Sequence, residues 1–208
     1  DIDNYYYDGD DVVLVLDEAG NVDHRYLHGP AVDMILADEA YDPTTHALED
    51  IYWTVADRQG SVRDVLTFNG TNATLHEQIA YDAYGRIAAV YNGATLDTTL
   101  TPTIAYAYTG REWDAEIGMQ YSRARWFNPE LGRWANKDPI GFEAGDANLY
   151  RYVANSPTNA TDPSGLEDWG IIEIPKSLGL GTAQGAANVG NCGTEVVRPS
   201  RRWMPPGK

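Results

Sequence analysis

The chain has little cysteine and no long apolar run among its 208 residues. Its single cysteine, Cys192, excludes both a disulfide framework and a zinc site built from several thiolates. No stretch approaches the roughly 20 apolar residues of a membrane-spanning helix, so we expect no membrane insertion. The sequence starts at Asp1 and ends on Pro205–Lys208, and we expect it to be part of a longer protein.

Positive charge is also scarce. Residues 1–166 carry 27 acidic and 10 basic side chains, a net charge of −17, whereas residues 167–208 carry a net charge of +1. The acidic part would repel nucleic acid and anionic membranes, so neither is expected as a partner. It could attract a basic cargo, although an acidic surface also simply keeps a protein soluble.

What the chain does contain is a recurring turn of the form Asp-x-x-Gly-x-(Val/Ile). It occurs at Asp17–Val22, Asp57–Val62 and Asp82–Ile87. Aspartate in the first position can accept hydrogen bonds from backbone amides two residues on. Glycine then supplies the left-handed residue that closes a bulged hairpin, and the β-branched residue restarts a strand. The pattern therefore predicts successive β-hairpins.

Short segments rich in Tyr, Val, Ile, Leu and Trp surround these turns, as strands favour. We therefore expect an all-β fold in which stacked hairpins share one sheet, because hairpins this short cannot bury a face alone. Residues 38–49 and 91–102 interrupt the rhythm and are predicted to be longer surface loops. After Leu166 the aromatic spacing is lost, and the tail is expected to be irregular or weakly helical.

Several segments in one order resemble the Rhs/YD-repeat proteins and their repeat-associated core domain. They span about 85 residues, from Tyr81 to Leu166, and a run this long is more specific than any single motif. The segments are Tyr81–Ile87, Thr109–Asp114, Gly118–Trp134, Asp138–Gly141, Asn148–Pro157 and Asp162–Leu166.

The resemblance implies a hollow shell made from a spiralling β-sheet. It implies YD repeats over residues 1–108, a core domain that curls inward and plugs one end over residues 109–166, and the start of a variable region at residues 167–208. In such proteins an aspartyl-protease-like centre in the core frees the downstream toxin. Carried onto this chain, the catalytic acids are Asp138 and Asp162, and the cut bond joins Leu166 to Glu167.

The two acids lie 24 positions apart, each in an Asp-Pro-x-Gly segment. Two carboxyls held close together share a proton, so one can activate water while the other donates to the carbonyl oxygen. The same tetrapeptide is also an ordinary turn, and the residues alone leave both interpretations open. The resemblance also indicates that Gly141–Asn148 carries a small insertion.

Other polar residues are weaker candidates. Arg133 or Lys137 could stabilise an oxyanion near Asp138, although Arg133 could equally form a salt bridge to a core carboxylate. The four histidines, at positions 24, 28, 46 and 76, lack metal-ligand spacing, and no cofactor is implied. The many Tyr and Trp residues could stack on sugars, but cross-strand aromatic packing explains them better.

Three functional hypotheses follow. The first is a secreted or cell-surface bacterial shell that cleaves itself once after Leu166 and releases an encapsulated toxin, with other shell or secretion components as partners. The second is a non-catalytic structural or adhesive YD-repeat module. The third is a degenerate remnant that has lost its toxin.

Overall fold

The structure is a computed structural model that describes residues 4–166 and 169–170. These residues form fifteen strands in three antiparallel sheets, with short 3-10 turns and no α-helix in this part of the chain. The predicted all-β class is therefore confirmed. The predicted irregular or weakly helical tail lies outside the described residues, apart from positions 169–170.

Residues 4–97 form one nine-stranded sheet, called here the first sheet, in which each strand pairs with the next along the chain. This order is that of a continuous series of hairpins, as the repeated turn predicted. The strands are β1 (Asn4–Asp8), β2 (Asp11–Leu16), β3 (Val22–His28), β4 (Ile35–Tyr41), β5 (Leu48–Ala56), β6 (Val62–Phe68), β7 (Ala73–Tyr81), β8 (Ile87–Asn92) and β9 (Thr95–Asp97).

The three predicted turns share one geometry. In the turn at Asp17–Val22, the Gly20 amide donates to the Asp17 carbonyl at 3.1 Å, and the Asn21 amide donates to Asp17 Oδ1 at 2.8 Å. The glycines at positions 20, 60 and 85 have φ values of 84°, 83° and 81°, which side-chain-bearing residues rarely adopt. The aspartate therefore caps each turn, and the glycine permits it.

Seven of the eight strand pairs in this sheet contain a register shift. Bulges of this kind bend a strand and increase the right-handed twist of the sheet. Their repetition gives the first sheet a regular source of curvature, as a spiralling wall requires.

The prediction of long loops at residues 38–49 and 91–102 is wrong in part. Strand β4 continues through Tyr41, β5 begins at Leu48, and strand structure extends into the second region through β8 and β9. The acidic pair Asp38 and Glu39 concealed β4, because these side chains bond across to β3, Asp38 to His24 at 2.9 Å and Glu39 to Arg25 at 2.6 Å. Cross-strand polar pairs thus replace the apolar alternation expected of a strand.

Residues after β9 return and pack against one face of the first sheet. Ile104 and Tyr106 join Val12, Val15, Tyr26 and other residues of the first sheet in one buried cluster. The chain then forms a four-stranded sheet. Its strands are β10 (Glu112–Asp114), β11 (Met119–Ser122), β12 (Arg125–Asn128) and β13 (Arg133–Trp134).

A second core lies under this smaller sheet. Phe127 and Trp134 are fully buried and meet edge to face at a ring-centroid distance of 5.6 Å, with Tyr152 against both. Burying an aromatic side chain of this size contributes about 1.5–3 kcal/mol, so the core is a firm support for what surrounds it. A short pair, β14 (Ala160–Thr161) with β15 (Trp169–Gly170), completes the described fold. Within that part of the chain, we find no helix long and apolar enough to cross a membrane.

Candidate functional site

Asp138 lies in a turn that follows β13. Its Oδ1 accepts a hydrogen bond from the Ile140 amide at 2.9 Å, and its carbonyl accepts one from the Gly141 amide at 3.1 Å. The side chain is nevertheless only 6 % exposed, because its second oxygen, Oδ2, faces the interior. Asp138 therefore forms the ordinary turn expected of Asp-Pro-x-Gly and still presents one carboxylate oxygen elsewhere.

Asp162 follows β14 and is arranged in the same way. Its Oδ1 accepts hydrogen bonds from the Leu166 amide at 3.1 Å and from the Ser164 hydroxyl at 3.0 Å. Its side chain is completely buried. Here too, one oxygen closes the local turn, and the other is available for a distant partner.

Arg125, at the start of β12, is the common partner of both acids. Its Nη1 lies 2.8 Å from Asp138 Oδ2, and its Nη2 lies 3.1 Å from Asp162 Oδ2. Its Nε donates to the Gly165 carbonyl, and the guanidinium carbon sits 4.1 Å from the centroid of the Trp134 ring. The guanidinium is 4 % exposed. One arginine thus brings together the two predicted acids, and we call these three residues the Arg125 centre.

The turns of the first sheet make a useful comparison. Asp57 and Asp82 also cap their turns through Oδ1 and bond an arginine through Oδ2, at 2.8 Å and 3.0 Å. Those arginines come from the same hairpin as the aspartate, and the Asp82 side chain is 37 % exposed. What distinguishes Asp138 and Asp162 is therefore not the turn itself. It is their burial and their convergence on one arginine from a third segment of the chain.

Leu166, the predicted residue before the cut, lies beside this centre. Its amide donates to Asp162 Oδ1, and Leu166 lines a cavity of about 340 Å³ together with Arg125 and Asp138. A water molecule occupies about 30 Å³ in the liquid, so this polar cavity has room for water. Glu167, on the other side of the predicted cut, lies outside the described residues.

The predicted insertion at Gly141–Asn148 forms one wall of the same cavity. A 3-10 turn over Gly141–Ala144 ends at Gly145, whose φ is 82°. Asp146 then accepts two hydrogen bonds from Arg151, at 2.7 Å and 2.6 Å. These bonds, with one from the Asn148 amide, lower the pKa of Asp146 to about 2.

Arg133, predicted to support the acids, is placed differently. Its guanidinium carbon lies 5.5 Å from the centroid of the Tyr150 ring, and its backbone pairs with Asn128. Lys137 is exposed. Sequence reasoning overlooked Arg125, although it stands within the Gly118–Trp134 segment that carried part of the resemblance. The sequence signal for Arg125 is that buried carboxylates need a cation, and this segment contains two arginines two positions apart, Arg123 and Arg125.

Several aromatic side chains pack as the sequence suggested. Tyr121 and Trp126 are paired across β11 and β12 with ring centroids 5.1 Å apart. Both also line a second cavity of about 410 Å³, together with Tyr26 and Tyr106. Burial raises the pKa of Tyr26 and of Tyr106 well above the ordinary value, and the nearby carboxylates of Asp38 for Tyr26 and Glu112 for Tyr106 add to the rise.

Comparison with known proteins adds an independent line of evidence. The chain is 37 % identical over 86 residues to the double-stranded DNA deaminase toxin A of Burkholderia cenocepacia. The aligned region covers 41 % of this chain and 6 % of that protein. The chain is also 31 % identical over 130 residues to the toxin subunit YenC2 of Yersinia entomophaga. That aligned region covers 57 % of this chain and 13 % of that protein. No protein-family model matches the chain.

Among solved structures, the fold resembles that of the TcdB2-TccC3 crystal structure. The TM-score is 0.58 at 21 % sequence identity, over 79 % of this chain and 8 % of that one. The chain thus spans only a small part of each of these three proteins. The toxin relatives and the shared fold confirm the predicted resemblance to Rhs/YD-repeat proteins.

Proposed function

Because the chain shares sequence and fold with the Rhs/YD-repeat proteins, we propose that it is the C-terminal part of a toxin-encapsulating shell that cleaves itself between Leu166 and Glu167. In this proposal residues 1–108 form the repeats, residues 109–166 form the core domain, and the variable region begins at residue 167. The observation that carries the proposal is the Arg125 centre, in which one buried arginine holds two buried acids beside Leu166.

The proposed reaction is hydrolysis of one peptide bond. One carboxylate takes a proton from water as the water oxygen bonds to the Leu166 carbonyl carbon, and the other carboxyl donates its proton to the carbonyl oxygen. The carbon–nitrogen bond then breaks, and the nitrogen takes the proton that the first carboxylate had accepted from water. The products are a carboxylate at Leu166 and a new amino terminus at Glu167. The enzyme is its own substrate, so it turns over once.

The surroundings of each residue favour particular roles. Asp138 borders the cavity, where water can enter, so it is suited to activate the water. Asp162 holds the Leu166 amide and is fully buried, so it is suited to position the bond. Arg125 offsets the negative charge of the pair and can stabilise an oxyanion, the supporting role that the sequence had assigned to Arg133.

The partner in this proposal is the polypeptide that follows residue 166, held inside the shell as a toxin and delivered outside the cell. The net charge of −17 over residues 1–166 would favour a basic cargo. The relatives' names support a toxin-related role, since one is called a toxin subunit and another a deaminase toxin.

Mass spectrometry of the full chain during prolonged incubation tests the proposal. We expect two fragments that meet at Leu166 and Glu167. The variants Asp138→Asn and Asp162→Asn should each stay whole. Asp82→Asn is the matched control and should cut at the parent rate, because Asp82 caps the same kind of turn outside the centre.

Two results would count against the proposal. If the parent chain remains intact, a non-catalytic structural module explains the fold better. If either centre variant cuts as fast as Asp82→Asn, then Asp138 and Asp162 are not the catalytic pair.

A further inference from the structure

A second buried charge cluster links the first sheet to the segment that contains Asp162. Asp33 lies in the connection between β3 and β4, and its side chain is 4 % exposed. Its Oδ1 accepts hydrogen bonds from Arg111 Nη1 at 2.6 Å and from Arg123 Nη2 at 2.7 Å. A carboxylate this deeply buried requires such partners, so the cluster fixes where the β3–β4 connection meets the smaller sheet.

Arg123 reaches from this cluster to the turn at Asp162. While its Nη2 bonds Asp33, its Nη1 donates to the carbonyl of Pro163 at 2.6 Å. The next residue, Ala124, donates its amide to the Ser164 carbonyl at 3.2 Å. A single guanidinium therefore joins the first sheet to the residue immediately after Asp162.

The backbone at Arg123 adopts an uncommon conformation. Arg123 and Ala124 form the two-residue turn between β11 and β12, since Ser122 and Arg125 pair directly. Arg123 has a φ of 50°, and its partner Asp33 has a φ of 56°, so both occupy the left-handed region that such residues rarely adopt. Conformations of this kind persist where the surrounding structure imposes them, often at functional sites.

Arg123 and Arg125 thus belong to one hairpin but have different partners. Arg125 contacts the two acids directly, and Arg123 ties the neighbouring backbone to the first sheet. The other acidic neighbours of Arg123 contribute less, because Asp10 is 83 % exposed at 3.9 Å and Asp11 is 33 % exposed at 3.4 Å, whereas Asp33 is buried at 2.7 Å. Asp33 is therefore the partner that anchors this arginine.

We infer that Arg123 is a positioning residue, which places the Asp162 turn by linking it through Asp33 to the first sheet. The inference rests on the proposed self-cleavage for its functional meaning. Beyond self-cleavage, we infer that the geometry of the Arg125 centre depends on correct docking of the β3–β4 connection. Cutting would then follow assembly of this part of the sheet.

The test compares Arg123→Met, Arg123→Lys and Asp33→Asn in the full chain. Hydrogen exchange at the Leu166 amide, which bonds Asp162, is measured with Asp138→Asn also present so that every chain stays whole. We expect Arg123→Met to speed this exchange about tenfold while the buried amides of β6 exchange as in the parent. Asp33→Asn should act in the same direction, and Arg123→Lys should recover part of the protection.

The rate of cutting is then measured with Asp138 restored. We expect at least a tenfold slower reaction in Arg123→Met, with partial recovery in Arg123→Lys. Arg25→Met is the control, because Arg25 forms an exposed ion pair with Glu39 on the first sheet, away from the turn. It should leave both measurements at parent values.

The outcomes separate this inference from the proposed function. Unchanged Leu166 exchange in Arg123→Met and Asp33→Asn would overturn the inference, as would equal acceleration at Leu166 and throughout β6. A parent chain that never cuts would refute the proposed function, and the exchange data would still decide whether Arg123 positions the turn.

Discussion

Gly165 offers a sharp test of how closely the Asp162 turn packs against the β11–β12 hairpin. It has a φ of 71°, and a methyl group added there would overlap the Ser122 carbonyl oxygen and lie 3.0 Å from the Arg125 amide nitrogen. Both contacts are backbone atoms, which cannot rotate aside as a side chain can. In Gly165→Ala the turn must therefore move away from the hairpin that carries Arg125.

The expected loss has two parts. A Cβ in the left-handed region costs about 1–2 kcal/mol. Overpacking against fixed neighbours adds about 1–3 kcal/mol. Gly118 isolates the first part, because its φ is 62° and nothing lies within 4 Å of an added Cβ. We therefore expect Gly165→Ala to lose about 2–5 kcal/mol of unfolding free energy, and Gly118→Ala only about 1–2 kcal/mol.

Urea unfolding of the full chain, followed by tryptophan fluorescence, measures this difference. Both variants carry Asp138→Asn so that the chain stays whole. The unfolding midpoint should fall further for Gly165→Ala than for Gly118→Ala. Equal midpoints would show that the turn does not pack as tightly as the structure indicates. The claim that this packing positions the Arg125 centre would then be wrong.

Two further predictions concern ionisation. Burial raises the pKa of Glu77, so the folded state holds this proton more tightly than the unfolded chain and loses stability as the pH rises above 4.5. Glu77→Gln should therefore raise the melting temperature at pH 7 and leave it nearly unchanged at pH 4, and a larger gain at pH 4 would contradict this. The pKa of Asp146 is lowered to about 2 chiefly by Arg151, so the stability from this pair is present above pH 3.8 and lost as the pH falls toward 2. In Arg151→Gln, NMR titration of the Asp146 carboxyl should show the pKa moving back toward 3.8, and an unchanged value would exclude Arg151 as the cause.

The hairpin architecture was predictable because its determinants are local. An aspartate that caps a turn, a glycine with positive φ and a β-branched residue that restarts a strand all act within six residues, as at Asp17–Val22. Strand β4 was missed for the opposite reason. Its Asp38 and Glu39 are explained only by His24 and Arg25, which lie 14 positions earlier and become neighbours once the register is set.

The candidate site was predictable only in part, for a related reason. The resemblance identified Asp138 and Asp162, but nothing local indicates which arginine lies between them. Arg133 is closer to Asp138 in sequence, yet Arg125 is the one that points at both acids. Side chains two positions apart on a strand share a face, and adjacent ones do not. Whether Arg125 faces the acids therefore depends on where β12 begins and how it pairs.

The turn interpretation and the catalytic interpretation of Asp-Pro-x-Gly are not alternatives in this fold. At Asp138 and Asp162, Oδ1 forms the turn and Oδ2 meets Arg125, so the turn is what delivers the second oxygen to a fixed place. Asparagine can keep its own Oδ1 in the turn while removing the negative charge. The variants Asp138→Asn and Asp162→Asn therefore separate the role of each residue in the turn from the role of its carboxylate charge. If each folds as the parent does but stays uncut, the turn supplies the geometry and the carboxylate charge supplies the chemistry.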